Sequence, residues 1–224
     1  MKLSKCNWIL FIFVFITTAG TLLSGELYDK VEQNDIEAVM NLLAEGADIN
    51  EQVEVGGAGT MTPLLAACFY RYEDMAKLLI SKGADINIKT ATGQTPLMFA
   101  CYHSEEIAKL LVSKGAEISV KDGTGAFSIC ISAIMDGSVP ITLAEFLLSK
   151  GVNVDETNTT GPVAGYTSLM IVARNKKPDL VKFLIKNGAN VNAKAKDGAT
   201  PLSMAAKEKD TAMIKLLKDL GAIE

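Results

Sequence analysis

The sequence predicts an all-α protein: a solenoid of six stacked helix-turn-helix units with projecting β-turn fingers, capped at both ends. Three observations predict it. One string recurs at a fixed interval, a second string follows each recurrence, and a glycine closes the second string every time. Thr62-Pro-Leu-Leu-Ala-Ala returns as Thr95-Pro-Leu-Met-Phe-Ala after 33 residues, and Thr167-Ser-Leu-Met-Ile-Val returns as Thr200-Pro-Leu-Ser-Met-Ala after the same interval. The second string reads Leu78-Leu-Ile-Ser-Lys-Gly-Ala-Asp-Ile-Asn87, and again from Leu110, Phe146 and Phe183, with shorter versions from Leu42 and Leu216.

Taken in chain order, the first element is not part of the repeat. Lys2 and Lys5 precede the apolar run Trp8 to Ile16, and small and polar residues follow to Thr21. A basic start, a short apolar centre and a small-residue end read as a secretory signal peptide over residues 1–23. Nine apolar residues give about 14 Å of helix, against about 30 Å for a membrane span. Cleavage after Ala19 or Gly20 fits best; a site as late as Gly25, or retention as an anchor, stays open. Cys6 lies before the apolar run, which disfavours a lipoprotein.

The repeat domain then occupies residues 24–224, with units at about 26–58, 59–91, 92–122, 123–161, 162–194 and 195–224. Within a unit, Thr before Pro caps a helix and starts it with the one residue whose missing N–H costs nothing there. Small apolar residues follow, so that helix packs on both sides. A polar break such as Arg71 to Asp74 leads into a second helix, from Met75 to Ser81. Gly83 ends it, because a left-handed residue is needed there; Gly46, Gly115, Gly151, Gly188 and Gly221 stand at the same place. Such a pair cannot bury its apolar faces alone, so neighbours must stack.

These strings resemble those of the ankyrin repeat family over nearly all of residues 26–224. The resemblance implies a concave surface made by the fingers and the first helices, used to bind proteins. The first unit replaces Thr-Pro-Leu by Leu27-Tyr-Asp-Lys-Val-Glu-Gln and reads as a polar N-terminal cap; Lys207 to Asp210, Lys215, Lys218 and Asp219 suit a C-terminal cap. Two fingers are four residues longer than the others: Ile49 to Thr62 and Val154 to Thr167 are 13 residues apart, against 9 for Ile86 to Thr95 and Val191 to Thr200. The first, carrying Gly56-Gly-Ala-Gly59, is expected to be mobile. The fourth unit has Phe127-Ser-Ile in place of Thr-Pro-Leu and an insertion within Asp136 to Pro140, which predicts altered stacking there.

Composition limits the function. With 49% hydrophobic and 21% charged residues the chain is not disordered, and a net charge of −4 offers no broad basic face, so nucleic acid is not expected as a partner. Without residues 1–25 the balance is 20 against 26, or −6, a weak preference for a basic partner that salt would screen. Four Cys and one His are too few for a zinc framework or most acid–base sites. Cys68 and Cys101 recur at one repeat position, where stacked helices lie about 9–10 Å apart and a disulfide needs about 7 Å or less. Buried reduced thiols are expected, and Cys130 sits at a different point of its helix. His103 follows Cys101 by two residues, just past the first helix of its unit, and residues two apart on a helix do not face each other. No catalytic, cofactor or metal site is expected.

Applied to this chain, the family pattern places the binding positions at first-helix ends and fingers. Phe69, Tyr70, Tyr102 and His103 are expected to form one patch, Tyr166 and Arg174 a second, with Gln94, Asn175 and Lys207 beside them; aromatic rings and Arg are the commonest interface anchors. The expected function is that of a non-enzymatic, monomeric interaction module of a bacterial exported protein. It would hold a partner protein in the periplasm or outside the cell, with no membrane span after signal cleavage. The alternatives are a secreted effector that binds host proteins and, remotely, an enzyme.

Overall fold

Thr62, Thr95, Thr167 and Thr200 each start a first helix, with the hydroxyl accepting a backbone N–H three residues on. The computed structural model describes residues 25–56, 59–118, 141–157 and 165–223. The expected signal peptide, the irregular part of the fourth unit with Cys130, and the tip of the second long finger lie outside the described residues. The chain divides into two compact bodies, Met1–Ile107 and Ala108–Glu224.

In the first body the elements are α1 (Glu26–Glu32), α2 (Ile36–Ala44), β1 (Val53–Val55), β2 (Gly59–Met61), α3 (Pro63–Phe69), α4 (Glu73–Ser81) and α5 (Pro96–His103). Helix α6 (Glu105–Ser113) follows. Thr62 caps α3 through Leu65 N at 3.4 Å, and Thr95 caps α5 through Met98 N at 3.3 Å. Helices α1, α3 and α5 pack side by side as a layer of first helices, and α2 and α4 pack on their own partners α1 and α3. Leu27, Val31, Leu64, Leu65, Met75, Leu79 and Leu97 are enclosed between them.

The second body contains α7 (Ile141–Ser149), α8 (Ser168–Arg174), α9 (Pro178–Lys186), α10 (Pro201–Lys207) and α11 (Thr211–Asp219). Helix α8 packs on α10, and α9 and α11 pack on their own partners. Leu169, Val172, Val181, Leu184, Leu202, Ala205, Met213 and Leu217 form one buried cluster there. Thr167 and Thr200 cap α8 and α10 through Met170 N and Ser203 N. The glycines that close the second helices have φ of 91° to 98°.

The Ala-Asp-Ile-Asn string has a physical role in each body. The acid or amide at its second position folds its own turn: Asp48 accepts from Asn50 N at 2.9 Å, Asp85 from Asn87 N at 2.9 Å, and Asn190 from Asn192 N at 2.9 Å. The last position ties one unit to the next. Asn50 accepts from Asp85 N at 2.8 Å, Asp155 from Asn190 N at 3.0 Å, and Asn192 from Ile223 N at 2.9 Å.

Three local features go beyond the sequence reading, and one of them, the place of His103, corrects it. The first long finger is a hairpin: β1 and β2 pair antiparallel with Val53 opposite Met61, and both side chains are buried. Alternation of apolar Val53, Val55 and Met61 with polar neighbours gives that hairpin an inner face. Secondly, α5 runs one residue longer than α3, so His103 ends the helix; Ser104 then caps α6 through Ile107 N at 3.2 Å. Thirdly, the turns between paired helices place Asn34, Arg71, Lys176 and Lys209 at φ of 53° to 66°, a left-handed conformation that only asparagine signals in sequence.

Candidate partner-binding surface

The aromatic residues of the first body meet at the C-terminal ends of the first helices. Helix α3 ends on Phe69, whose ring stands edge-on to Tyr70 at 5.1 Å and to Phe99 of α5 at 5.5 Å. Tyr70 stacks on Tyr72 at 5.7 Å. Its hydroxyl donates to Glu32 Oε1 at 2.8 Å, and the Tyr72 hydroxyl donates to the Glu32 carbonyl at 3.2 Å. Both phenols therefore fasten the end of α1. Burial, then the Glu32 bond, raises the Tyr70 pKa; burial, then the Glu32 charge, pushes Tyr28 up to about 12.

Further along the layer, Tyr102 is the residue left open, 40% exposed on the last turn of α5. The half-buried His103 ring is tilted against it at 6.4 Å. Burial, then the Arg71 charge, lowers the His103 pKa, so its ring is neutral near pH 7. Gln94 closes the adjacent short finger: its N–H donates to Thr90 Oγ1 at 3.1 Å and its carbonyl accepts from Thr90 N at 2.9 Å. The expected first patch thus resolves into a braced group, Phe69 with Tyr70, and a more open pair, Tyr102 with His103. Phe99, Tyr72 and Glu32 belong to the braced group and were not foreseen. Phe99 had a signal, since it fills the position held by Ala66 one repeat earlier.

In the second body Tyr166 is only 8% exposed, which corrects its placement as an open contact residue. Its hydroxyl donates to Asp197 Oδ2 at 2.7 Å, joining one finger to the next. Ala199 N donates to the other carboxylate oxygen at 3.0 Å. The Tyr166 bond, then that N–H, holds Asp197 below the usual carboxylate range, and Lys207 adds to it. The same bond raises the Tyr166 pKa, against which the Arg174 guanidinium acts. Arg174 and Lys207 therefore share one neighbourhood with the Tyr166–Asp197 pair. Arg174 is half-buried at the end of α8, whereas Asn175 and Lys207 are exposed. The Lys196 backbone lies close to Gly165, so the two fingers approach each other there.

Cys68 and Cys101 are buried and reduced, and burial pushes the Cys68 thiol up to about 12, which leaves it protonated and unreactive near neutral pH. Among the described residues, no group of three or more His, Cys, Asp or Glu could hold a metal ion, and no helix is long and apolar enough to cross a membrane.

Comparison with known proteins fits this geometry. The family model described as ankyrin repeats (3 copies) matches residues 27–122 and again residues 130–223. The chain is 26% identical over 220 residues to the B-cell lymphoma 3 protein homolog of Mus musculus, covering 88% of this chain but 44% of that protein, so it spans less than half of this relative. It is 27% identical over 196 residues to the ankyrin repeat protein YahD of Escherichia coli (strain K12), 85% of this chain and 93% of that one. A solved structure, the Bd0816 predatory endopeptidase from Bdellovibrio bacteriovorus in complex with immunity protein Bd3460, contains a chain that matches with a TM-score of 0.73. The identity is 30%, over 88% of this chain and 99% of that chain. With threonine-capped helix pairs closed by left-handed glycines, and two family matches that together span most of its length, the chain belongs to the ankyrin repeat family.

Proposed function

We propose that this chain acts after export, in the periplasm or outside the cell, as a non-enzymatic module that binds a partner protein through its first-helix ends and fingers. Ankyrin repeats are protein–protein interaction modules, and the family is generally non-enzymatic. The observation that carries the reading is Tyr102. It is a large aromatic, 40% exposed, on a helix whose Leu97, Ala100 and Cys101 are buried. Such a ring beside a half-buried neighbour is a typical binding anchor. A similar chain stands in a complex between an endopeptidase and its immunity protein, which supports an enzyme as the partner held and restrained. The signal-peptide reading of residues 1–23 supports export.

The test is affinity capture on the purified protein, with partners identified by mass spectrometry, followed by Tyr102→Ala. Phe69→Ala and Tyr70→Ala are poor probes, because they also remove the packing on Phe99 and the bond to Glu32. Tyr102→Ala is expected to weaken capture by about tenfold with an unchanged thermal melt. Undiminished capture would remove the site, and recovery of the protein only from the cytoplasmic fraction would remove the export reading.

A further inference from the structure

We infer that Arg174, Lys194, Lys196 and Lys207, on the helix ends and finger of the last two repeats, take an acidic segment of the partner protein. The inference rests on the protein-binding reading above and names the chemistry of the partner. The small net charge of the chain conceals a segregation. Residues 25–107 carry five Lys/Arg against 14 Asp/Glu, a balance of −9, whereas residues 108–224 carry 15 against 12, or +3. The excess is concentrated further: residues 174–218 hold eleven Lys/Arg and four Asp/Glu.

One of those four acids is already committed. Asp197 accepts from the Tyr166 hydroxyl at 2.7 Å and from Ala199 N at 3.0 Å. No described carboxylate lies within 4.0 Å of the four cations, in contrast to Lys77, which pairs with Glu106 at 2.9 Å. Lys196 lies close to Gly165, Lys194 close to Gly198, and Arg174 stands half-buried at the end of α8. A guanidinium can take a carboxylate with two parallel hydrogen bonds, while the lysines supply steering charge.

The same features favour a polypeptide over other anions. Asp197 puts a fixed negative charge inside the cluster, which a phosphate backbone would have to pass. Among the described residues there the aromatic ring is Tyr166, which is buried and offers no face on which a base could stack. No large apolar side chain is exposed between residues 165 and 218 to enter a lipid surface. Separate carboxylates on a protein segment can fall on either side of Asp197.

The test is fluorescence anisotropy of a labelled oligoglutamate peptide with the full chain, at low and at physiological salt. Binding is expected, weakening as salt rises. The charge reversal Arg174→Glu, Lys196→Glu, Lys207→Glu is expected to weaken it by about tenfold or more. A matched reversal on the solvent side of α9 and α11, Lys182→Glu, Lys186→Glu, Lys215→Glu, changes the net charge equally and is expected to cost less than about threefold. Should the first variant melt early, Arg174→Gln, Lys196→Gln, Lys207→Gln takes its place with the same expectation. Equal losses in the two reversals would overturn the inference, as would tighter binding of oligothymidylate or of phosphatidylglycerol vesicles than of the peptide. If the partner found by capture is lost on Tyr102→Ala but kept by the Arg174, Lys196, Lys207 reversal, this inference fails while the protein-binding reading stands.

Discussion

Ser168 is a residue whose side chain works against the fold. It stands where Pro63, Pro96 and Pro201 stand in α3, α5 and α10, and its hydroxyl is fully buried without a hydrogen-bond partner. A buried hydroxyl left unbonded costs the desolvation of that group, so removing it stabilises rather than weakens the protein. Ser168→Ala is expected to raise stability by about 1 kcal/mol, which for a chain of this size shifts the melting temperature upward by about 3 °C. A lowered melt would mean that the hydroxyl finds a partner in solution. Cys68 and Tyr28 carry the opposite lesson for alkaline pH. Both groups keep their protons to about 12 in the folded chain, mainly through burial. The unfolded chain releases them earlier, near 9.0 for the thiol and 10.0 for the phenol. The folded state thus binds more protons across that interval. These two groups leave stability unchanged below about pH 9 and lower it as pH rises towards about 12. Thermal melts from pH 8 to 12 should show this decline, and Cys68→Ala should remove the part that begins first. A melting temperature level to pH 12 would exclude it.

At the scale of elements, the helix pairs were legible because their signals are local. Thr62, Thr95 and Thr200 cap through their own hydroxyls, Pro fits only the first helical position, and the closing glycines hold a φ that other residues avoid. What was not legible depends on partners distant in sequence. The Val53–Met61 pairing turns an apparently loose glycine-rich finger into a hairpin, and the burial of Tyr166 depends on Asp197 of the following finger. The capping of α1 is of the same kind. Its N-cap, Gly25, has no side chain to accept a bond, and the Glu51 carboxylate from the next turn accepts from Tyr28 N instead. A negative charge at that end also meets the favourable end of the helix dipole. Glu51→Ala is expected to cost about 1 kcal/mol, as loss of an N-cap does. Hydrogen exchange should locate the effect: amides of residues 26–32 should exchange faster, while those of α3 should change little. Unaltered exchange in α1 would show that its packing on α3 holds it without a cap.

At the scale of the whole molecule, the uneven charge has a consequence for stability that the average of −4 does not reveal. Residues 25–107 hold 14 acidic side chains against five basic ones, and among the described residues the ion pairs there involve Lys77 with Asp74 at 3.9 Å and Glu106 at 2.9 Å. An excess of nine negative charges in that stretch repels itself across a repeat array in which each unit relies on its neighbours for burial. Residues 165–223 are charged in the other direction, with eleven Lys/Arg against five Asp/Glu, a smaller imbalance over a shorter stretch. Salt shortens the range of both repulsions, to a Debye length of about 8 Å at physiological ionic strength. The stretch with the larger imbalance gains more. Hydrogen exchange of the intact chain at low and at physiological salt is therefore expected to show protection rising throughout, with the larger rise in α1 to α5 and the smaller in α8 to α11. The reverse order would mean that ion pairing rather than repulsion dominates the acidic half. A chain whose acidic part is quieted by salt while its basic cluster loses a bound peptide would separate the two roles of charge in one molecule: repulsion that limits stability in residues 25–107 and attraction that selects a partner in residues 174–207.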